Sequence, residues 1–167
     1  MDLLDRLLGH DAWTTRQLLL IGQGLTDEQL DRDFDIAHRT VRATFVHIIR
    51  NVEVWPQLMA GRPPRESLGR SVPELIARFD RAAAKLAAVA RDVAQRDAWN
   101  GHFLDVLDNP PVEKTLGGGI AHVITHSMHH RAQLVYMLRK LGISGLPEGD
   151  VLSWERQAGI APVSGET

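Results

Sequence analysis

Four stretches of this chain, at about 2–22, 40–59, 71–97 and 120–141, repeat apolar residues every three or four positions. That period places side chains on one face of an α-helix and is incompatible with the two-residue alternation of a half-buried strand. Leu3, Leu4, Leu7, Leu8, Leu18, Leu19 and Ile21 share one face of the first segment. Val41, Phe45, Ile48, Val52, Trp55 and Met59 line the second, with Arg42, Arg50, Glu53 and Gln57 on its other side. Pro56 predicts a kink or an early end there. The third segment keeps its period from Val72 through Val93 after a Ser71-Val72-Pro73-Glu74 start, and the fourth carries Ile120, Val123, Ile124, Leu134, Leu138 and Leu141 before the stop at Gly142.

The remaining segments are connections. Thr26 to Gln29 reads as a capped short helix near 26–32, and Pro147 to Gln157 as a short tail helix. The Asn109-Pro110-Pro111 turn separates two short segments able to pair as a hairpin, and the Gly117-Gly118-Gly119 run reads as a hinge before the fourth long helix. Such a chain is expected to be all-α, an antiparallel four-helix bundle forming a single domain over 1–167, with the 61–70 and 98–119 connections long enough for a crossover.

Composition narrows the chemistry. There is no Cys among the 167 residues, which excludes disulfides, thiolate metal ligands and a protein thiol nucleophile. A net charge of -2 argues against a phosphate-neutralising surface, so nucleic acid is not an expected partner. With no apolar run long enough to span a bilayer and no signal-peptide pattern, the expectation is a cytoplasmic protein without a membrane partner. Eight His are left as the main candidates for chemistry.

Three of them, His122, His126 and His130, recur every fourth position on the fourth helix. Neighbours in such a series can share one divalent ion, but residues eight apart lie about 12 Å apart along the axis, so the pair is 122/126 or 126/130. The apolar stripe favours His126 with His130. Ser127 stands where a zincin helix would carry its Glu, so a protease of that type is not indicated. His47 lies off the charged face of the second helix, on a side shared with Asn51, and is the candidate third ligand. Three neutral imidazoles leave a coordination position open, as in catalytic sites. Asp11, inside the apolar face of the first helix, together with Asn51, His122 and Arg131, are candidates for groups that orient a ligand or meet a substrate. His10, His38, His102 and His129 read as exposed or locally bonded residues, and Trp13, Trp55, Trp99 and Trp154 as packing residues.

The segments "HRTVRATFVHIIRNVEVW" and "HVITHSMHHRAQLVYMLRKLG", with "HDAWTTRQLL" before them and "LPEGDVLSW" after, resemble the DinB/YfiT-like metalloenzyme family. The resemblance runs over most of the chain and rests on a lone His followed far downstream by H-x-x-H-H-R-x-Q. It implies an up-down-down-up bundle, a homodimer, and a divalent ion held by His47, His126 and His130, for which Zn, Ni, Fe or Mn suit imidazole ligands. Ala132, where many relatives have Gly, is a small departure. Relatives include transferases and isomerases that use a low-molecular-weight thiol such as bacillithiol or mycothiol. The expected activity is therefore thiol-dependent S-transfer, or metal-dependent hydrolysis, on a small electrophilic substrate. The alternative is a non-catalytic metal-binding or dimerisation module.

Overall fold

The computed structural model describes residues 1–160. Four long helices, α1 (Leu3–Gly22), α3 (Val41–Met59), α4 (Val72–Gln95) and α5 (Leu116–Lys140), are joined by short α2 (Asp27–Leu30) and followed by α6 (Val151–Gln157). Strands β1 (His102–Asp105) and β2 (Val112–Thr115) pair antiparallel between α4 and α5, so the expected hairpin is present. None of the described helices is long and apolar enough to cross a membrane.

Side-chain caps set the helix starts. Asp2, Thr40, Thr115 and Asp150 each accept from a backbone N–H three residues on, and Glu74 reaches back to the Ser71 N–H at 3.0 Å. The Thr115 cap corrects one expectation. Helix α5 begins at Leu116, so Gly117–Gly119 form its first turn and are not a hinge. They are close-packing positions: a Cβ on Gly119 would lie 3.1 Å from Phe103 and 3.2 Å from Met59, and one on Gly117 would meet the Trp99 carbonyl at 3.0 Å. Pro56 does not end its helix either; α3 continues to Met59.

Side-chain pairs fix the helix directions. Asp5 meets Arg91 and Arg16 meets Asp80, so α1 and α4 are antiparallel. His47 faces His130, Trp55 faces His122, and Met59 approaches Gly119, so α3 and α5 are antiparallel. Pro56, Gln57 and Ala60 share a groove with Ala82, Lys85 and Val89, while Glu53 takes Arg78, so α3 runs parallel to α4. The bundle is thus up-down-down-up, in the ring order α1, α4, α3, α5.

Two parallel sequential helices require a connection running back along the bundle. Residues 60–71 do this against the polar face of α3: Gln57 exchanges two 3.0 Å hydrogen bonds with the Arg65 backbone, Arg50 pairs with Glu66, and Arg42 donates to the Arg70 carbonyl at 3.1 Å. The charged face of α3 is therefore a docking track. Beneath it, the buried Arg78 binds the partly buried Glu53 through Nε and Nη2 at 3.0 and 2.8 Å.

The core lies between the four helices, with Leu18, Leu19, Phe45, Ile48, Ile49, Leu75, Phe79, Leu134, Met137 and Leu138 almost without solvent exposure. Trp154 of α6 packs on α1 at Gly9, where a Cβ would come within 2.8 Å of the indole. His10 is buried and bonded to the Gly149 carbonyl at 3.0 Å, which corrects its reading as an exposed or locally bonded residue.

Candidate metal centre

Helices α3 and α5 cross with His47 opposite the His126/His130 pair. His126 Nε2 lies 3.2 Å from His47 Nε2 and 3.2 Å from His130 Nε2. Two nitrogens each about 2.1 Å from one tetrahedral ion are about 3.4 Å apart, so these separations suit a shared divalent cation.

Neighbouring amides set which ring nitrogens are free. His130 Nδ1–H donates to Gln133 Oε1 at 2.7 Å, which leaves Nε2 as the lone-pair nitrogen. The Gln133 amide is itself oriented, because its Nε2 donates to His129 Nε2 at 2.9 Å. Asn51 accepts from the Trp55 indole N–H at 3.2 Å and donates to the His47 carbonyl at 2.8 Å. Its amide also faces His47 Nε2 at 3.2 Å as a donor, so that nitrogen too presents a lone pair. His126 Nδ1 is buried without a partner. A cation held by the three Nε2 atoms would take the lone pairs of His126 and His130 and replace the Asn51 amide at His47 Nε2, and a set of three neutral imidazoles fits a divalent metal ion.

The rings are set to be neutral. Burial, then the imidazoles of His38, His130 and His126 and the Arg50 charge, push His47 down to about 3. Burial followed by His130, His122, His129 and His38 pushes His126 down to about 4. Burial also lowers His130, against the opposing hydrogen bond to Gln133. Neutral imidazole is the ligating form, so no proton has to be displaced near neutral pH.

A fourth ring joins them. His38, in the loop before α3, stacks on His47 with centroids 3.8 Å apart and planes 28° from parallel, and its centroid is 5.1 Å from that of His130. Donor atoms of His38, His47 and His130 all lie within 4.8 Å of one another. His38 keeps solvent contact, as expected, but it also joins the imidazole group, which its reading as an exposed or locally bonded residue did not include. The loop has no periodicity to reveal a facing direction, so sequence spacing carried no signal for it. Gln133 was also missed, although its position three residues after His130 is a helical-neighbour signal.

The other candidates fall elsewhere. His122 is exposed and lies one turn from His126, its ring 4.6 Å from Trp55. Lys114 of β2 stands over the same indole, 5.3 Å from the ring centroid, and is held at 2.6 Å by the buried Asp105 of β1. Asp11 and Arg131 do not touch an imidazole: they bind each other, both side chains buried, and Thr15 Oγ1 lies 3.2 Å from Arg131 Nη1. His102 is exposed on β1, and His129 is exposed beside Gln133.

An up-down-down-up bundle with imidazoles from two facing helices defines a class of helical proteins with an interior histidine site. Residues 1–161 match the DinB family, and the chain belongs to it. The fold is similar to that of a crystallised DinB-like protein from Bacillus cereus, with a TM-score of 0.63 and 16% identity, covering 84% of this chain and 91% of that one. No curated protein matches the chain.

Proposed function

We propose that this protein is a metal-dependent enzyme in which His47, His126 and His130 hold one divalent ion, Zn, Ni, Fe or Mn, and a small electrophilic substrate reacts at the open position by thiol-dependent S-transfer or by hydrolysis. The observation that carries the reading is the meeting of three Nε2 atoms, with His126 3.2 Å from each of the others. A bound ion would supply Lewis acidity, lowering the pKa of a water or a low-molecular-weight thiol and polarising the electrophile.

The chain's own residues do the rest. Gln133 and Asn51 orient the imidazoles, the absence of Cys leaves the thiol to a cosubstrate, and the tilted Trp55 and His122 rings, with Lys114 over the indole and paired to Asp105 and Asp108, form an aromatic wall beside His126 for a substrate body. A cytoplasmic location and a homodimer belong to the same proposal. The hairpin region exposes Leu104, Val106, Leu107 and Val112, an apolar edge that a second copy would cover. Light scattering that shows a strict monomer would remove the dimer.

Elemental analysis of the purified chain tests the site. Near one metal per chain is expected in the wild type and in His122→Ala, with loss in His47→Ala, His126→Ala and His130→Ala, helicity being unchanged throughout. Turnover of electrophiles with added thiol then tests catalysis. No metal after reconstitution would defeat the reading, and metal without turnover across a broad screen would favour a non-catalytic module.

A further inference from the structure

We propose that His38 is a fourth, displaceable imidazole donor to the ion, occupying the open position until a thiol or anionic donor from a substrate takes its place. The inference rests on the three-imidazole site proposed above and adds to it a residue from outside the helices.

Three observations carry it. A donor atom of His38 lies within 4.8 Å of donor atoms on both His47 and His130, although His38 belongs to neither helix that builds the site. Its ring is stacked on His47 at 3.8 Å, so an adjustment of one side chain separates stacking from ligation. The loop is also built to hold it there. Ala37 and Arg39 on either side of His38 have φ of +49° and +68°, the left-handed region that residues other than glycine seldom adopt. That backbone is held by Arg39 N–H to the Ile36 carbonyl at 2.8 Å, Phe34 N–H to the Arg39 carbonyl at 2.8 Å, and the Arg39–Asp33 ion pair.

The position of His38 also explains why it would yield. His126 and His130 are fixed to α5 and His47 to α3, whereas His38 hangs from a connection and is the most solvent-open of the group it forms with His47 and His130. A donor on a loop can leave without disturbing the bundle. The site would then be closed in the resting protein and opened by ligands able to compete with an imidazole, which favours soft or anionic donors over water.

Cobalt(II) loading tests this without any turnover. Visible absorption of the Co(II) protein reports coordination number and donor set, and added imidazole probes the open position. The expected result is that His38→Ala, and His38→Gln as a second variant, keep near one Co(II) per chain with altered bands. Imidazole should restore those bands, binding on the order of 10-fold more tightly than in the wild type, where His38 competes. Identical spectra and equal imidazole affinities in wild type and variants would overturn the proposal. Loss of the ion from His38→Ala with helicity intact would also overturn it, by making His38 a required ligand. Failure of the wild type to bind Co(II), or retention of Co(II) by His126→Ala, would instead overturn the three-imidazole site itself.

Discussion

Two consecutive residues of α5, His130 and Arg131, enter buried polar clusters on different sides of the bundle, and the clusters differ in whether opposite charges meet. Toward α1, Arg131 meets Asp11, with Thr15 beside the guanidinium, so cation and anion are matched inside the chain. Toward α3, His130 meets His126, His47 and His38, all uncharged near neutral pH, with lone pairs converging. The first cluster pairs opposite charges and ties α1 to α5, while Arg131 Nη2 and the nearby Thr14 Oγ1 stay buried without a hydrogen-bond partner. The second gathers imidazole nitrogens with no carboxylate among them, the donor set that the proposed ion would use. Neither burial nor an unpartnered polar atom is therefore the mark of function in this protein; the kind of donor brought together is.

The largest effect that can break this comparison concerns the ion-paired cluster. Asp11→Ala leaves the Arg131 charge buried without its partner, and a loss of about 3–5 kcal/mol is expected in urea unfolding. Asp11→Leu combined with Arg131→Met should recover most of that loss. A single-variant loss below about 1 kcal/mol would mean that the pair is not a closed structural unit.

Metal should act only on the other cluster. Zinc at about 100 times its dissociation constant is expected to stabilise the wild type by about 2.7 kcal/mol and to leave His126→Ala unchanged in thermal melts. Equal stabilisation of both would place the ion elsewhere. Gln133→Ala removes the acceptor of His130 Nδ1–H and should lower metal affinity on the order of 10–100-fold in chelator competition, without loss of helicity. An unchanged affinity would show that the Gln133 contact does not organise the ligand.

The smallest expected effect is on the metal-free protein as pH falls, because these rings are only partly desolvated. The folded-state values of about 3 for His47 and about 4 for His126 lie below the ordinary 6.5, so the unfolded chain takes up protons first. Stability is whole above pH 6.5 and is lost as pH falls from there toward 4 and then 3. Denaturant midpoints at pH 7.5, 6 and 5 should decline in that order, and less steeply in His47→Gln/His126→Gln. A flat profile would show that the rings are not held neutral.

Much of this was legible in the residues. Apolar spacing located the four long helices, because each must bury one stripe, and the paired His at four-residue spacing on α5 needed only helical geometry. His47 and Asn51 were placed by the same argument, since their side of α3, shared with Thr44 and Val54, lies off the charged face. The Gly117–Gly119 run misled because glycine is permissive: the Thr115 cap and the packing of Phe103, Met59 and Trp99 draw it into the helix. The charged face of α3 was legible as a face, but its partner was not: the returning 60–71 segment is polar enough to satisfy it.

The sequence by itself determined the four long helices, the Thr26 and Ser71 helix starts, the family and the His47, His126 and His130 candidates, because helical periodicity and short-range hydrogen bonding are local. Only the tertiary structure decided that Asp11 belongs to Arg131, 120 positions away, and that His38 lies against His47. Which partner a buried charge finds, and where a loop carries a side chain, depend on how whole helices dock. No local pattern encodes that distance.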